Sequence, residues 1–416
     1  MKRKQLVIIG GGPAGLAAAV AAYDSGIKDV LIIERENRLG GILLQCIHNG
    51  FGLQRFKESL TGPEYAHRFI DEVEKRNIEY YVGTTVLSVS DKKEITLVSA
   101  KTGVLTIKAA AIILAMGCRE RSRGALNIAG SRPAGIYSAG TAQKYINVKG
   151  YMIGKRVVIL GSGDIGLIMA RRLTLEGAKV LAVCEIMPFS SGLKRNIEQC
   201  LNDFNIPLYL NHTITEIRGN DRVSGVTVSK VDKNKTPIAG TEMNFDCDTV
   251  LFSVGLIPEN ELSKSAGVEL SLKTKGAVVD ENRQTSIDGV FACGNVLHVH
   301  DLVDYVSEES EIAGKAAADY LLNKAKSVRK RNVICGENVG YVVPQKISSN
   351  AGDVKFFFRV KAVIAGGKAV ITSGGTEIFS QKKPIFTPGE MQTMTLKKDV
   401  SEKLSGDIEL KVVSEK

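Results

Sequence analysis

Residues 5–15 read QLVIIGGGPAG, and residues 16–34 continue LAAAVAAYDSGIKDVLIIE. An apolar run at 5–9 breaks into glycines. An Ala-rich stretch at 16–23 follows, then a second apolar run at 30–33 that ends in Glu34. The order strand, glycine turn, helix, strand, acid is the pattern of a dinucleotide-binding βαβ unit. Gly10 suits the tight turn, Gly12 admits a pyrophosphate close to the backbone, and Gly15 lets helix and strand approach. Pro13 and Ala14 open the helix, whose unpaired N–H groups and positive dipole end suit phosphate. Glu34 is placed to accept from ribose hydroxyls, with Arg35 beside it. Met1-Lys2-Arg3-Lys4 followed by an apolar stretch has the outline of a signal peptide, but the Gly-Gly-Gly-Pro at 10–13 breaks the continuous apolar helix such a segment needs.

The pattern recurs. Residues 156–166 read RVVILGSGDIG, a helix is expected over 167–176, and the apolar run at 180–183 leads to Glu185. In both units the acid follows the first glycine by the same interval, 34 − 10 and 185 − 161. One G-x-G-x-x-G is a weak signal, but two in matched strand–helix contexts are a strong one. Gly161, Gly163, Asp164, Ile165, Gly166 and Glu185 form the second candidate nucleotide set.

Outward from these units, 416 residues allow two to four domains. With 44% hydrophobic and 24% charged residues the composition is that of a globular protein, neither disordered nor fibrous. No run of 18 apolar residues predicts a membrane span. The seven cysteines include no C-x-x-C, which removes zinc knuckles, ferredoxin-type clusters and thioredoxin-like pairs. No metal site is expected, and unclustered cysteines in odd number suit a reducing, cytoplasmic location. Of the net charge of +10, the stretch 323–416 carries 17 Lys+Arg less 9 Asp+Glu, or +8. This excess points to docking on an acidic protein partner or an anionic membrane surface, and no nucleic-acid partner is expected.

Further segments resemble the two-dinucleotide-binding-domain flavoproteins of the pyridine nucleotide-disulfide reductase superfamily. These are RLGG at 38–41, AIILAMG at 111–117, DTVLFSVG at 248–255 with Pro258, and TSIDGVFACGN at 285–295. The resemblance implies an α/β fold of two nested Rossmann-like domains. FAD would be bound by residues 1–120 with 256–325, and NAD by residues 121–255. It adds Gly40, Gly41, Ala115, Gly117, Gly294 and Asn295 to the FAD set and Gly255 to the NAD set. Asn295 stands where the superfamily usually carries Asp, and its amide oxygen can still accept from a ribityl hydroxyl. The superfamily's redox cysteines would fall at Leu43 and His48, so a dithiol relay is not expected. Cys46, Cys118 and Cys293 read as small buried hydrophobes.

GGILLQCIHNG at 40–50, SRPAGIYSAG at 131–140 and GNVLHVHD at 294–301 resemble, more narrowly, the FAD/NAD subunits of multicomponent dehydrogenases. Those include hydrogen cyanide synthase, opine oxidase and amino-acid dehydrogenase subunits, and the flavoprotein beside bacterial glycerol-3-phosphate dehydrogenase. This likeness implies a hetero-oligomer in which a partner dehydrogenase subunit oxidises glycerol-3-phosphate or an amino acid while this chain handles nicotinamide. His48, His298 and His300 would face the flavin as catalytic candidates, against the alternative of hydrogen-bonded scaffold histidines. Ser307 ahead of Glu308 and Glu309 reads as a helix N-cap with acids in the first turn. The resemblance aims that helix at the flavin pyrimidine.

From 324 to 331 the sequence reads as a basic linker. Beyond it, strand-like alternation at 354–360, 368–372, 391–396 and 407–412, separated by Gly-Gly and Pro-Gly pairs, predicts a small β-sandwich over 332–416. It is expected to lie outside the fold that either cofactor needs, so a chain ending after Lys326 would keep its flavin. A stabilising cap on the FAD domain is the alternative. A stand-alone NADH oxidase or quinone reductase, or an FAD-holding assembly scaffold, are the other functions left open.

Overall fold

The computed structural model describes residues 2–323, 330–349 and 351–414. By packing, the chain divides into two compact units, Met1–Cys118 with Pro258–Lys416, and Arg119–Ile257. In the first unit, strand Lys2–Ile9 runs parallel to Val30–Ile33 on one side and to Gly103–Leu114 on the other. Glu79–Tyr81 extends the sheet beyond Val30–Ile33, and Val290–Ala292 pairs with the far side of Gly103–Leu114. The chain therefore leaves Lys2–Ile9 in opposite directions, which makes its carboxyl end the switch point where such sheets bind ligands. Leu6 to Ile9 are buried, as the continuous apolar run of a doubly covered parallel strand requires.

Helix Pro13–Asp24 packs on this sheet through Leu16, Ala17 and Ala18 and meets the long helix Val303–Leu321. Small residues set this approach, since a Cβ on Gly314 would stand 2.3 Å from the Ala18 carbonyl oxygen. The N-cap signature at Ser307 places the start of that second helix incorrectly. It begins at Val303, and Ser307 lies inside it, bonded through Oγ to the Tyr65 hydroxyl at 2.8 Å. The expected N-cap is thus an interior polar contact.

The second unit repeats the design with strand Arg156–Leu160 between Lys179–Glu185 and Thr249–Phe252, all parallel, and helix Asp164–Leu175 on the sheet. Beside it lies an antiparallel sheet built on His212–Gly219 and Val223–Lys230.

The C-terminal region forms a five-stranded and a three-stranded sheet around Phe356, Phe358, Ile371 and Leu410. It begins at Lys330 instead of 332, because Lys330 and Arg331 open strand Lys330–Cys335. Residues 324–329, which hold most of the expected linker and the Lys326 truncation point, lie outside the described residues. Strand Thr376–Phe386, with its Lys-Lys-Pro, escaped the alternation because it is an edge strand whose residues are mostly exposed, a place where lysine and proline are favoured.

The region is not a detachable appendage. Val343 joins the core on one face of the first unit's parallel sheet, and Gln345 donates its backbone N–H to the Val279 carbonyl at 3.0 Å. The cap alternative therefore describes the packing, and the expectation of a module outside the first unit's fold is corrected.

Candidate functional site

At the carboxyl end of the first sheet, the three glycines divide their work. A Cβ on Gly10 would stand 2.3 Å from the Ala115 carbonyl oxygen, and one on Gly15 would stand 1.8 Å from the Gly10 carbonyl oxygen. These two glycines hold the turn against its neighbours. A Cβ on Gly12 would meet only the Gly41 Cα, at 3.7 Å, so the space beside the middle glycine is open. That is the room a pyrophosphate needs next to a helix N-terminus.

Gly40 and Gly41 close over the turn, with Gly40 N–H donating to the Gly11 carbonyl at 2.8 Å. Pro13 occupies the first position of the helix, where its missing N–H has no cost. Ala14 packs under Gly294, whose own Cβ would lie 2.7 Å from that of Ala14. Glu34 is buried at the end of its strand. Its Oε2 accepts from Gly11 N–H at 2.7 Å and its Oε1 from Glu36 N–H at 2.8 Å. Both oxygens keep lone pairs for a diol. Arg35 points outward to Glu259 at 3.1 Å, and Gly117 has open space around its Cβ position.

The second unit shows the same division. A Cβ on Gly161 would stand 2.0 Å from the Ser253 carbonyl and one on Gly166 2.7 Å from the Gly161 carbonyl, whereas Gly163 has nothing nearer than 3.5 Å. Glu185 is buried like Glu34, accepting from Ser162 N–H at 3.0 Å and Ser162 Oγ at 2.7 Å through Oε2. Its Oε1 accepts from Met187 N–H at 3.0 Å. Asp164 is taken up by its own unit, with Oδ1 accepting from Leu193 N–H at 2.8 Å and Asn196 Nδ2 at 2.6 Å. Ile165 packs against the unit's core, and Gly255 is open around its Cβ position.

The match of a protein-family model to residues 4–319 decides what these two sites belong to. The chain is a member of the pyridine nucleotide-disulphide oxidoreductase family. It is accordingly an oxidoreductase of the FAD/NAD flavoprotein type, with FAD and NAD(P)H as its cofactors. The chain is 26% identical over 310 residues to thioredoxin reductase of Mycolicibacterium smegmatis, a match covering 73% of this chain and 90% of that one. It is 24% identical over 334 residues to an opine oxidase subunit of Agrobacterium tumefaciens, covering 75% of this chain and 64% of the relative. With the glutamate synthase [NADPH] small chain of Escherichia coli it shares 27% identity over 360 residues, covering 77% and 68%. Among solved structures, T. acidophilum thioredoxin reductase superposes with a TM-score of 0.63 at 28% identity, covering 78% of this chain and 99% of that one.

All seven cysteines are free and none stands in a C-x-x-C. Burial pushes the thiols of Cys46 and Cys293 up to about 12, far from the thiolate range a relay needs.

The histidines separate. His48 lies against Phe51, rings 4.9 Å apart, with Nδ1 3.1 Å from the Asn49 carbonyl. His298 and His300 face each other at 4.1 Å, buried under Phe357 and, for His298, Tyr341. Both rings converge on Glu309, which is fully buried: His298 Nε2 lies 3.0 Å from Oε1, and His300 Nε2 3.4 Å from Oε2. Arg283 Nε donates to the same Oε1 at 3.0 Å, and Gly294 N–H to Oε2 at 3.1 Å. Burial by itself would raise the Glu309 carboxyl, but the histidines and Arg283 outweigh it and hold it well below the usual carboxylate range. Burial, then the neighbouring His298, carry His300 down to about 3, so it is neutral at ordinary pH.

Two histidines and a carboxylate within 4.8 Å have the composition of a metal site. The guanidinium already on Glu309 Oε1 neutralises that carboxylate and would repel a dication, so the arrangement reads as a buried ion pair hydrogen-bonded to His298, with His300 packed alongside.

Sequence reasoning missed Glu309 and Arg283. The signal was available for Glu309, since it shares with Val306, Ser310, Ala313 and Ala317 the i, i+3, i+4 spacing of the buried helix face. Asn295 also has partners the sequence could not supply. Its Oδ1 accepts from His300 N–H at 3.0 Å and its Nδ2 donates to Cys118 Sγ at 3.6 Å.

Proposed function

We propose that this chain passes electrons between NAD(H) and a partner dehydrogenase subunit through FAD. The observation that carries this reading is the pair of matched glycine turns, each with an open middle glycine and a buried carboxylate, in a chain without a cysteine pair. Gly10, Gly12, Gly15, Gly40, Gly41, Glu34, Ala115, Gly117, Gly294 and Asn295 would hold FAD. Gly161, Gly163, Gly166, Glu185 and Gly255 would hold NAD(H). FAD supplies the two-electron chemistry when bound. This chain's residues would anchor the pyrophosphates on backbone N–H groups and fix the riboses by carboxylates, and no C-x-x-C pair stands by to divert electrons to a disulphide. Several named relatives, the opine oxidase and hydrogen cyanide synthase proteins among them, are themselves subunits, which supports a partner that oxidises the substrate. Glycerol-3-phosphate or an amino acid is the substrate class in view.

Glu185 sets the nicotinamide choice. A 2′-phosphate about 4 Å from its carboxylate, at an effective dielectric near 20, is repelled by about 4 kcal/mol. The purified protein should be yellow, and anaerobic NADH should bleach its flavin much faster than NADPH. Dithiol–disulphide turnover should be absent. Flavin that NADH leaves oxidised even with co-purifying proteins present would refute the proposal, and equal rates with NADPH would refute the role of Glu185.

A further inference from the structure

Phe357 and Tyr341 of the C-terminal β region cover the histidine pair, and a third side chain, Arg359, grips the turn that carries it. Arg359, on strand Val354–Val360, is largely buried and its guanidinium divides among four acceptors. It donates to the Asp301 carboxylate, to the Val299 carbonyl at 3.3 Å, to the Pro388 carbonyl at 3.1 Å and, through Nε, to the Tyr341 hydroxyl at 3.2 Å. Asp301 is gripped a second time from the same region, its Oδ2 accepting from Met391 N–H at 2.6 Å. Residues 299 and 301 flank His300, and the His300 N–H is the group that donates to Asn295 Oδ1. A continuous line of hydrogen bonds and one short stretch of backbone thus runs from the β region to the amide of Asn295. Cys118 Sγ fixes the other end of that amide.

We infer that Arg359 is a positioning residue for the flavin, acting through the turn at 299–301 to hold the Asn295 side chain in the orientation that meets the ribityl chain. The inference rests on the proposed reading of Asn295 as a flavin contact. A side-chain amide can present either oxygen or nitrogen, and only a fixed partner decides which. The His300 N–H makes that decision, and Arg359 with Asp301 fixes the His300 N–H. A planar guanidinium can serve these acceptors at once in a way an ammonium cannot, so lysine should substitute only in part.

The test uses the full-length protein, with Arg359→Met, Arg359→Lys, Asp301→Asn and Asn295→Ala, and Arg359→Met combined with Asn295→Ala. The measurements are the FAD dissociation constant, the midpoint potential of the bound flavin, and amide hydrogen exchange at His300 in the flavin-free chain. Arg359→Met is expected to raise the FAD dissociation constant at least tenfold, shift the potential and speed exchange at His300. Arg359→Lys should recover part of this, and Asp301→Asn should reproduce it from the other end of the bond should Arg359→Met fail to fold. In the Asn295→Ala background the effect of Arg359→Met on FAD affinity should largely disappear. Should Asn295→Ala weaken FAD while Arg359→Met and Asp301→Asn lower only the melting temperature, Arg359 is a structural strut and the inference fails. Should Asn295→Ala leave FAD affinity and potential unchanged, the flavin-contact reading fails first and takes this inference with it.

Discussion

A residue's chemistry in this protein depends on what stands within a few ångströms of it, and the glycines show this most sharply. Gly10, Gly12 and Gly15 are indistinguishable as letters, yet two are packed against backbone and one faces open space. Gly12 has φ −80°, a conformation any residue adopts. Gly12→Ala should therefore fold, with stability within about 1 kcal/mol of the parent, and lose FAD affinity by tenfold or more because the new methyl enters the pyrophosphate's place. Gly15→Ala should instead destabilise the whole first unit by about 1–3 kcal/mol, as overpacking does, since its Cβ would overlap the Gly10 carbonyl. Denaturant melts of the flavin-free variants together with FAD titrations distinguish the two cases. A stable Gly15→Ala protein, or a Gly12→Ala protein with full affinity, would contradict this division of roles.

At the scale of an element, helix Val303–Leu321 joins two jobs. Its apolar face packs against helix Pro13–Asp24, and its buried acid Glu309 gathers Arg283, His298 and the Gly294 N–H. His300 is buried beside this ion pair, so its protonation would place an uncompensated charge out of reach of water, with His298 and Arg359 adding to the cost against the pull of Glu309. The sign follows directly. His300 titrates near 3 in the folded chain and near 6.5 when unfolded, so below 6.5 the unfolded state takes up more protons. The stability due to neutral His300 is complete above about pH 6.5 and drains away as pH falls toward 3. Between pH 7.5 and 5 the loss should approach about 2 kcal/mol from this group. Urea unfolding at the two pH values should show it, and His300→Leu should remove that part of the pH dependence. An unchanged pH slope in the variant would rule the assignment out.

Across the whole molecule, the first unit is completed by residues 330–414, far along the chain from its opening strand. Arg283 reaches the Lys355 carbonyl at 3.2 Å, Glu281 accepts from Ser348 N–H at 2.9 Å, and Lys330 pairs with Asp280 at 2.7 Å. A chain ended at Asn323 would uncover Arg283, Val279 and the histidine pair, leaving buried polar groups without partners, each costing about 1–3 kcal/mol. Such a chain should aggregate or emerge without flavin, seen as loss of soluble yield and of visible absorbance. A soluble, fully yellow truncation product would show that the β region is dispensable.

The sequence by itself determined the two nucleotide folds, because a glycine turn between an apolar strand and a helix is specified by local backbone sterics and by residues only 24 apart. Gly10 to Glu34 and Gly161 to Glu185 needed no tertiary knowledge. It also settled the absence of a C-x-x-C relay, since that motif is a matter of spacing alone. The sequence also marked Gly12 as the glycine that admits a pyrophosphate, and the tertiary structure supplied the open space beside it and beside Gly163. The tertiary structure alone brought Glu309 and Arg283 together, and joined the β region to Asn295 through Arg359. The last two outcomes depend on residues 26 and 64 positions apart, 309 − 283 and 359 − 295. No local pattern carries that information, because the partners meet only once the sheets and helices have packed.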